Sequence, residues 1–466
     1  MSNKFSFKNS VIFGGNFTAA NEVRGDNGRQ MLSQSPYVQV HGAIHDSGQR
    51  YPPSECHPGT REDILRMAET WVDKSLSESE SMLFWLSGPA GVGKTAIAQS
   101  RLGGDFFFSR SVAGHGNFHT LFPTLAYQLG IIYPEFGFEL DAVMKEDASV
   151  LTKNLEVQLR QLLVNPLNRA ENKPDTPFVL VIDGLDEAGG EDDQISFLHL
   201  LAWHFLPHRL PLKIIVTSRP EPWIKSSFAT NPLRLHTHNH FLRRTSQTDD
   251  DIRTLLISKF AEIQGTHDLM KNRAESWPPC EIIDDIVDKA SGQFIYASTV
   301  LRFIADPNGN PAQRLLWIVN AWSRSPSRNV KPDYSPYSAL DNLYQHILST
   351  SSNIENTLAL LGASIAHGID RNRYLPIWLK SPPSPSIALL EKLLMLREGD
   401  GFLAVRMIQS LVEILPDGSI QFYHKSFQDF ILDSNRSGEY FTLPLENIVI
   451  VDAILRERFF VHLRSN

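Results

Sequence analysis

The sequence predicts an α/β fold in which a parallel β-sheet comes first and a mainly helical region follows. Three short apolar runs, at residues 82–86, 178–182 and 212–217, indicate the sheet. Strands of a parallel sheet are buried on both faces, so they read as continuous apolar stretches. Amphipathic helical patterns separate these runs and dominate after residue 230.

The segment after the first run has the pattern G-x-x-x-x-G-K-[ST] of a phosphate-binding loop. Its residues are Gly88, Pro89, Ala90, Gly91, Val92, Gly93, Lys94 and Thr95. Glycines let backbone N–H groups wrap around phosphates, Lys94 neutralises their charge, and the Thr95 hydroxyl can hold Mg²⁺. The flanking strand and helix patterns place the anion at a helix N-terminus. The alternative is a glycine-rich turn that ends in Lys-Thr by chance.

The second apolar run ends in a cluster of acids, Asp183, Asp186 and Glu187. An acid at the end of this strand can hold the same Mg²⁺ as Thr95, and the next two acids can polarise a water for attack on a γ-phosphate. We therefore predict Thr95 and Asp183 as metal ligands and Asp186 and Glu187 as catalytic. A solvated acidic turn is the alternative.

The third apolar run stops at Ser218-Arg219-Pro220. Ligands of open parallel sheets bind at the carboxyl ends of the strands. A permanently charged, forked guanidinium suits phosphate recognition. Arg219 is therefore predicted to sense a γ-phosphate, and a surface arginine before a proline is the alternative.

The first crossover of the sheet is unusually short. A helix is possible over residues 95–101, and residues 105–109 read as the next strand. A parallel crossover usually takes at least about 10–12 residues. We expect this short helix to strain the connection.

Two other patterns suggest different ligands. His236, His238 and His240 alternate, which would place them on one strand face as metal ligands, but no second cluster lies near. Residues 172–175 match the guanine-reading N-K-x-D pattern, but they come before the D-x-x-G match at residues 186–189. Neither pattern displaces the phosphate-binding interpretation.

The C-terminal third combines helical patterns with a predicted hairpin. Two alternating runs, 411–415 and 419–423, flank a Pro-Asp-Gly turn, and a helix restarts at His424. Helices plus a hairpin suggest a winged helix. The predicted division is a loosely ordered arm, a nucleotide-binding domain, a helical domain, a linker and a winged-helix domain, at residues 1–53, 54–230, 231–305, 306–336 and 337–466.

Composition narrows the possible partners. The net charge of −8 argues against nucleic acid as a partner. Two cysteines without metal or redox spacing fit a reducing compartment. No apolar run is long enough to span a membrane, so we expect a cytoplasmic protein without a membrane partner. In the N-terminal arm, residues 11–17 are β-prone, and self-association through cross-β stacking is the alternative to a disordered segment.

In order along the chain, four motifs resemble the NACHT domains of STAND-class ATPases, most closely fungal NOD-like receptors with a nephrocystin-like P-loop domain. They are His57-Pro-Gly-Thr-Arg61, the phosphate-binding loop, Asp183-Gly-Leu-Asp-Glu187 and Thr217-Ser-Arg-Pro220. Ser291-Gly-Gln-Phe-Ile-Tyr-Ala297 is similar to their helical-domain segment, and His424-Lys-Ser-Phe-Gln-Asp-Phe430 to their winged-helix motif.

The resemblance implies a molecular switch that ADP locks and ATP opens, with Mg²⁺ as cofactor and oligomerisation in the open state. It implies that Thr60 and Arg61 lie by the adenine and ribose, and that His424 contacts the β-phosphate of ADP. A helix-capping or core role is the alternative for His424. Against the family pattern, this sequence has a short first crossover and no ligand-sensing repeats, so we expect either a truncated switch module or a gene model that has lost a segment.

Three hypotheses of function follow. The first is an ATP/ADP switch in intracellular signalling or an immunity-like incompatibility response, with protein partners and at most slow Mg²⁺-dependent ATPase activity. The second is a degenerate scaffold whose short crossover prevents nucleotide binding. The third is a DNA-binding regulator, which the acidic balance and the lack of Lys or Arg in residues 411–423 disfavour.

Overall fold

The computed structural model describes ten stretches of the chain. They are residues 56–74, 81–99, 104–109, 115–174, 177–271, 277–307, 309–324, 338–351, 353–369 and 385–442. The predicted arm at residues 1–53, with its β-prone segment, lies outside them. The chain divides into two compact units: Met1–Pro89 with Gly93–Arg243, and Ala90–Val92 with Arg244–Asn466.

The first unit is built on a five-stranded sheet. Its strands are β1 (Leu83–Ser87), β2 (Gly104–Phe107), β3 (Phe178–Asp183), β4 (Leu212–Ser218) and β5 (Thr237–Phe241). They lie in the order β2-β3-β4-β1-β5, and each neighbouring pair is parallel. The predicted α/β class with a parallel sheet is confirmed, and the three apolar runs form its three central strands.

Helices pack around this sheet. They are Glu62–Asp73, Lys94–Gln99, Leu121–Ile132, Pro134–Glu146, Leu155–Gln158, Asn165–Arg169, Glu191–Leu200, Pro222–Ala229 and Leu233–His236. Short π-helical segments at Leu159–Val164 and Leu201–Phe205 continue two of them. The core contains the inward-facing residues of the strands, such as Leu83, Phe106 and Leu180, packed on helix residues such as Leu125.

The first unit extends beyond the predicted boundary at residue 230. Strand β5 completes the sheet at its edge, within the segment predicted to be helical. Thr237 is buried and His238 and Asn239 are exposed, so β5 has no continuous apolar run. A strand at the edge of a sheet is partly exposed to solvent, so it does not need a continuous apolar sequence. His238 and His240 do lie on this strand, and the His238 ring packs 5.0 Å from that of Phe84.

The first crossover is as short as predicted. Its helix, Lys94–Gln99, has six residues and is about 9 Å long. It packs against β3 and β4. The chain then enters β2 at the edge of the sheet, beyond both of those strands.

The second unit is mainly helical. Its helices are Ser246–Thr266, Cys280–Ala290, Phe294–Ala305, Pro311–Arg324, Ser338–Leu348, Ile354–Ile369, Ile387–Leu393, Asp400–Arg406, Lys425–Ile431 and Ser434–Ser437. Strands β6 (Val412–Ile414) and β7 (Ile420–Phe422) pair antiparallel, which confirms the predicted hairpin. Gly418 in its turn has φ +80°, a conformation that favours glycine.

The segment 306–336, predicted to be a linker, contains the helix Pro311–Arg324. Leu315 and Ile318 are buried in the core of the second unit. Prolines and serines on both sides of this helix dominate the composition, which is why a linker was expected. The spacing of the two buried residues by three is the signal of a helical face.

The described part of the chain contains no helix that is both long and apolar enough to cross a bilayer.

A buried lysine on the sheet caps the C-terminal end of the helix Glu62–Asp73. Lys213 on β4 is fully buried. Its Nζ donates to the carbonyl oxygens of Trp71 at 2.6 Å, Val72 at 3.2 Å and Lys74 at 2.6 Å. The last carbonyls of a helix have no partner within the helix, so the ammonium satisfies groups that burial would otherwise leave unpaired.

We predict that Lys213→Met lowers the stability of the first unit. The methionine keeps the volume but removes all three hydrogen bonds, so we expect a loss of about 2–4 kcal/mol and a fall in Tm of about 5–10 °C. Calorimetry or circular dichroism measures the change. Lys225→Met, at an exposed helix position, is the matched control and should stay within about 0.5 kcal/mol of wild type. If Lys213→Met and Lys225→Met had the same Tm, the three hydrogen bonds of Lys213 would not contribute to stability.

Candidate functional site

The carboxyl ends of three adjacent strands form the candidate site. Strand β4 lies between β1 and β3, so its last residues connect the end of β1 to Asp183 at the end of β3. Gly88 N, just after β1, donates to Ser218 O at 3.4 Å. The indole Nε1 of Trp85 donates to Ser218 Oγ at 2.9 Å. These contacts fix the loop after β1 on the end of β4.

The loop itself turns at two glycines. Gly91 has φ +76° and Gly93 has φ +93°, a region where L side chains are strained. Pro89 lies in the turn, and the side chains of Ala90 and Val92 are buried. Helix Lys94–Gln99 begins directly after the second glycine. The predicted strand–loop–helix arrangement is present.

Lys94 folds back over the loop. Its Nζ donates to Gly88 O at 2.8 Å and to Pro89 O at 2.9 Å. Burial lowers the pKa of Lys94 to about 8, and the nearby carboxylates of Asp186, Asp183 and Glu187 oppose this effect. The ammonium therefore lies among ionised groups at the strand ends and is held by neutral carbonyls that an anion can replace.

Thr95 and Asp183, the two predicted metal ligands, lie side by side. Thr95 Oγ1 donates to Asp183 Oδ2 at 2.8 Å. A hydroxyl and a carboxylate are oxygen ligands of the kind that Mg²⁺ prefers, and Mg²⁺ usually keeps several waters beside one or two protein ligands. The residues present therefore fit Mg²⁺, with Thr95 and Asp183 as the groups that would hold it.

Thr217 is a site residue that sequence reasoning missed. Its hydroxyl donates to Asp183 Oδ1 and accepts from Gly184 N at 3.1 Å. Thr217 and Asp183 are both buried. The only available signal was a polar residue at the end of an apolar strand, which does not say where the hydroxyl points.

The acids after β3 differ in their surroundings. Gly184, at φ +73°, turns the chain into the short helical turn Leu185–Glu187. Asp186 is buried, and its Oδ1 accepts from Arg219 N at 3.0 Å. Arg219 Nε lies 3.4 Å from Asp186 Oδ2. Glu187 is partly exposed. The structure thus brings Asp186 and Arg219 into one ion pair.

Thr60 and Arg61 lie at the start of helix Glu62–Asp73, and both are buried. Thr60 Oγ1 donates to His57 O at 2.7 Å. Arg61 has φ +57°. Burial lowers the pKa of His240 on β5, and the charge of Arg61 contributes to this shift. These two residues therefore lie near the strand that borders β1.

His424 belongs to the second unit, where it caps the helix Lys425–Ile431. Its Nδ1 accepts from Ser426 N at 3.0 Å and lies 2.7 Å from Ser426 Oγ. The Tyr344 hydroxyl lies 2.8 Å from the same Ser426 oxygen. The capping role weighed for His424 from the sequence is present. A contact of His424 with nucleotide remains a prediction.

The family model described as Nephrocystin 3, N-terminal, matches residues 59–219. This stretch is about a third of the chain, and it runs from the segment containing Thr60 and Arg61 to Arg219. The match supports the nephrocystin-like P-loop segment expected from the sequence. With the parallel sheet and the loop geometry, it gives the first unit a P-loop NTPase-like fold. Among curated proteins, no sequence matches the chain.

Solved structures similar to the chain include Cdc6 and ORC proteins. Cdc6p from Pyrobaculum aerophilum has 12% identity and a TM-score of 0.36, with 89% of this chain and 99% of the other covered. The ORC2 protein of Aeropyrum pernix in ADPNP–ADP complexes has 14% identity and a TM-score of 0.35, with 90% and 100% covered. Drosophila ORC bound to DNA has 14% identity and a TM-score of 0.34, with 85% and 95% covered. At TM-scores this low, the similarity gives no information about function.

We predict that Thr217→Val destabilises the first unit without nucleotide. The variant removes a donor from the buried Asp183 carboxylate and an acceptor from Gly184 N, which we expect to cost about 1–3 kcal/mol. Denaturant unfolding measures it. Thr217→Ser, which keeps the hydroxyl, should recover most of the loss, whereas Thr230→Val at an exposed position should change stability by less than about 0.5 kcal/mol. A Ser variant as unstable as the Val variant would show that the hydroxyl is not responsible.

Proposed function

We propose that this protein binds ATP and ADP with Mg²⁺ and acts as a nucleotide-dependent molecular switch. The observation that carries the proposal is the contact of Thr95 with Asp183 at 2.8 Å, beside the Lys94 ammonium on the same loop. A phosphate-binding loop, a lysine and two oxygen ligands at the ends of parallel strands are what a Mg²⁺–nucleotide requires.

Each site residue has a distinct role in this proposal. Lys94 binds phosphates of both nucleotides, and Thr95 and Asp183 hold Mg²⁺, which neutralises phosphate charge. Asp186 and Glu187 are the acids available to polarise a water, and Arg219 responds to the γ-phosphate. Hydrolysis, where it occurs, is slow and depends on Mg²⁺.

The wider switch rests on the resemblance to NACHT proteins. Thr60 and Arg61 would lie by the adenine and ribose, and His424 of the winged-helix domain would contact the β-phosphate of ADP. ADP would thereby favour a closed arrangement, and ATP an open one that oligomerises and engages protein partners in an intracellular signalling or incompatibility response. A ligand shifts such an equilibrium only by its difference in affinity for the two states.

The runner-up is a scaffold that binds no nucleotide. Its basis is the six-residue helix Lys94–Gln99, which was expected to strain the loop. The contact between Thr95 and Asp183 favours the switch over the scaffold, because two ligands of one Mg²⁺ must lie side by side, as these two groups do. Thr95 lies in the first turn of the helix.

We predict that ADP with Mg²⁺ stabilises the protein against heat. Ligand at about 100 times its Kd adds about 2.7 kcal/mol, which corresponds to a Tm increase of about 5–10 °C for a unit of this size. Lys94→Ala should abolish the increase, while Lys225→Ala, at an exposed position, should retain it. Differential scanning calorimetry measures all three. An unchanged Tm in wild type would favour the scaffold.

We predict that ADP binding weakens above pH 8. Lys94 has a lowered pKa of about 8 in the free protein, so it loses its charge as the pH rises through that value. Bound phosphate favours the charged lysine, so binding takes up a proton in this range, and we expect affinity to fall about tenfold between pH 7.5 and 9. Titration calorimetry in buffers of different ionisation enthalpy measures both affinity and proton uptake. A flat profile would show that the Lys94 charge does not contribute to binding.

A further inference from the structure

The ion pair between Asp186 and Arg219 joins a buried carboxylate to a partly exposed guanidinium. The Asp186 side chain is 5% exposed and that of Arg219 is 22% exposed. Asp186 Oδ1 accepts from the Arg219 backbone N, and Asp186 Oδ2 lies 3.4 Å from the Arg219 side-chain Nε. The carboxylate is therefore held by the main chain after β4, and the guanidinium is the more exposed partner of the pair.

Buried hydrogen bonds hold the turn that carries Asp186. The amide of Gln194, which is fully buried, donates from Nε2 to Asp186 O at 3.3 Å and to Ala188 O at 2.8 Å. Gln194 Oε1 accepts from Trp223 Nε1 at 2.8 Å. Trp223 lies on the helix that follows Arg219. Gln194 therefore connects the turn after β3 to the helix after β4, in addition to the ion pair itself.

The pair lies among the other charges of the site. Asp186, Arg219, Asp183 and Glu187 all act electrostatically on Lys94. Lys94 Nζ donates to Gly88 O, and Gly88 N donates to Ser218 O, the residue before Arg219. A phosphate bound at Lys94 therefore lies beside the chain that carries Arg219, and it brings negative charge towards the Asp186 carboxylate. The phosphate and Asp186 must share Arg219, since a buried carboxylate that lost its cation would be strongly disfavoured.

We propose that Asp186 is the positioning residue of Arg219, and that their ion pair determines how strongly the site distinguishes a nucleoside triphosphate from a diphosphate. The inference rests on the proposed function and deepens it. Asp186 holds the guanidinium away from full contact with a γ-phosphate, which reduces the preference for triphosphate. Glu187, partly exposed in the same turn, is then the acid left to polarise a water.

Asp186 and Glu187 have different roles in this proposal because their positions differ. A general base needs hydrogen-bond access to the water that it activates. Asp186 has both oxygens near Arg219 and is almost fully buried, so it acts through the arginine. This refines the prediction that both acids are catalytic: Glu187 keeps that role and Asp186 takes a positioning role.

The test is a double-mutant cycle on nucleotide affinity, with a non-hydrolysable ATP analogue and ADP titrated separately in Mg²⁺. Asp186→Asn keeps an acceptor for Arg219 N but removes the charge. We expect the ratio of the ADP Kd to the ATP-analogue Kd to rise about tenfold, within the usual range of coupling between sites. In an Arg219→Ala background, the same substitution should change the ratio by less than about twofold.

Glu187→Gln is the matched control, because it removes one negative charge from the same turn. It should alter the ratio far less than Asp186→Asn does. Should Asp186→Asn fail to fold, Asp186→Ser, which keeps an acceptor, replaces it in the cycle. A melting curve recorded without nucleotide shows whether the Asp186→Asn protein is folded.

Three outcomes would overturn the inference. Equal effects of Asp186→Asn with and without Arg219 would show direct repulsion of the phosphate. An unchanged ratio in the Asp186→Asn protein would show that the pair does not influence discrimination. No binding of either nucleotide by wild type would overturn the proposed function as well, and this failure is distinguishable because it precedes any comparison of variants.

Discussion

The buried carboxylate of Asp183 is the group on which the candidate site depends. Its two oxygens accept hydrogen bonds from two hydroxyls, that of Thr95 in the first turn of the helix Lys94–Gln99 and that of Thr217 at the end of β4. A buried carboxylate is tolerated only where such donors surround it. The same contacts therefore satisfy an otherwise costly charge and hold the loop, β3 and β4 in one arrangement. A metal site at this point uses a geometry that the fold already requires.

The order of the strands explains why this contact is possible. Because β4 lies between β1 and β3, the end of β4 reaches both the loop through Ser218 and the acidic turn through Thr217 and Arg219. The short helix Lys94–Gln99 passes over β4 and β3 towards β2 at the edge. Its first turn carries Lys94 and Thr95.

The features that could be predicted from the sequence are those encoded by consecutive residues. The loop from Gly88 to Thr95 and the buried runs that end in Asp183 and Arg219 each carry a complete local signal. Strand β5 carries none, because it lies at the edge of the sheet and exposes polar side chains. The role of Thr217 and the pairing of Asp186 with Arg219 depend on which strand ends meet, and strand order is a tertiary property. Helix Pro311–Arg324 was not predicted, because prolines and serines dominate the sequence on both sides of it.

In the proposed function, phosphate replaces the carbonyl partners of Lys94. The most direct measurement is a crystal structure of the protein with ADP and Mg²⁺. We expect Lys94 Nζ to leave Gly88 O and Pro89 O, to which it now donates at 2.8 and 2.9 Å, and to contact the β-phosphate. Crystals soaked in millimolar ADP that show no nucleotide at the loop, with Lys94 still bound to both carbonyls, would contradict it.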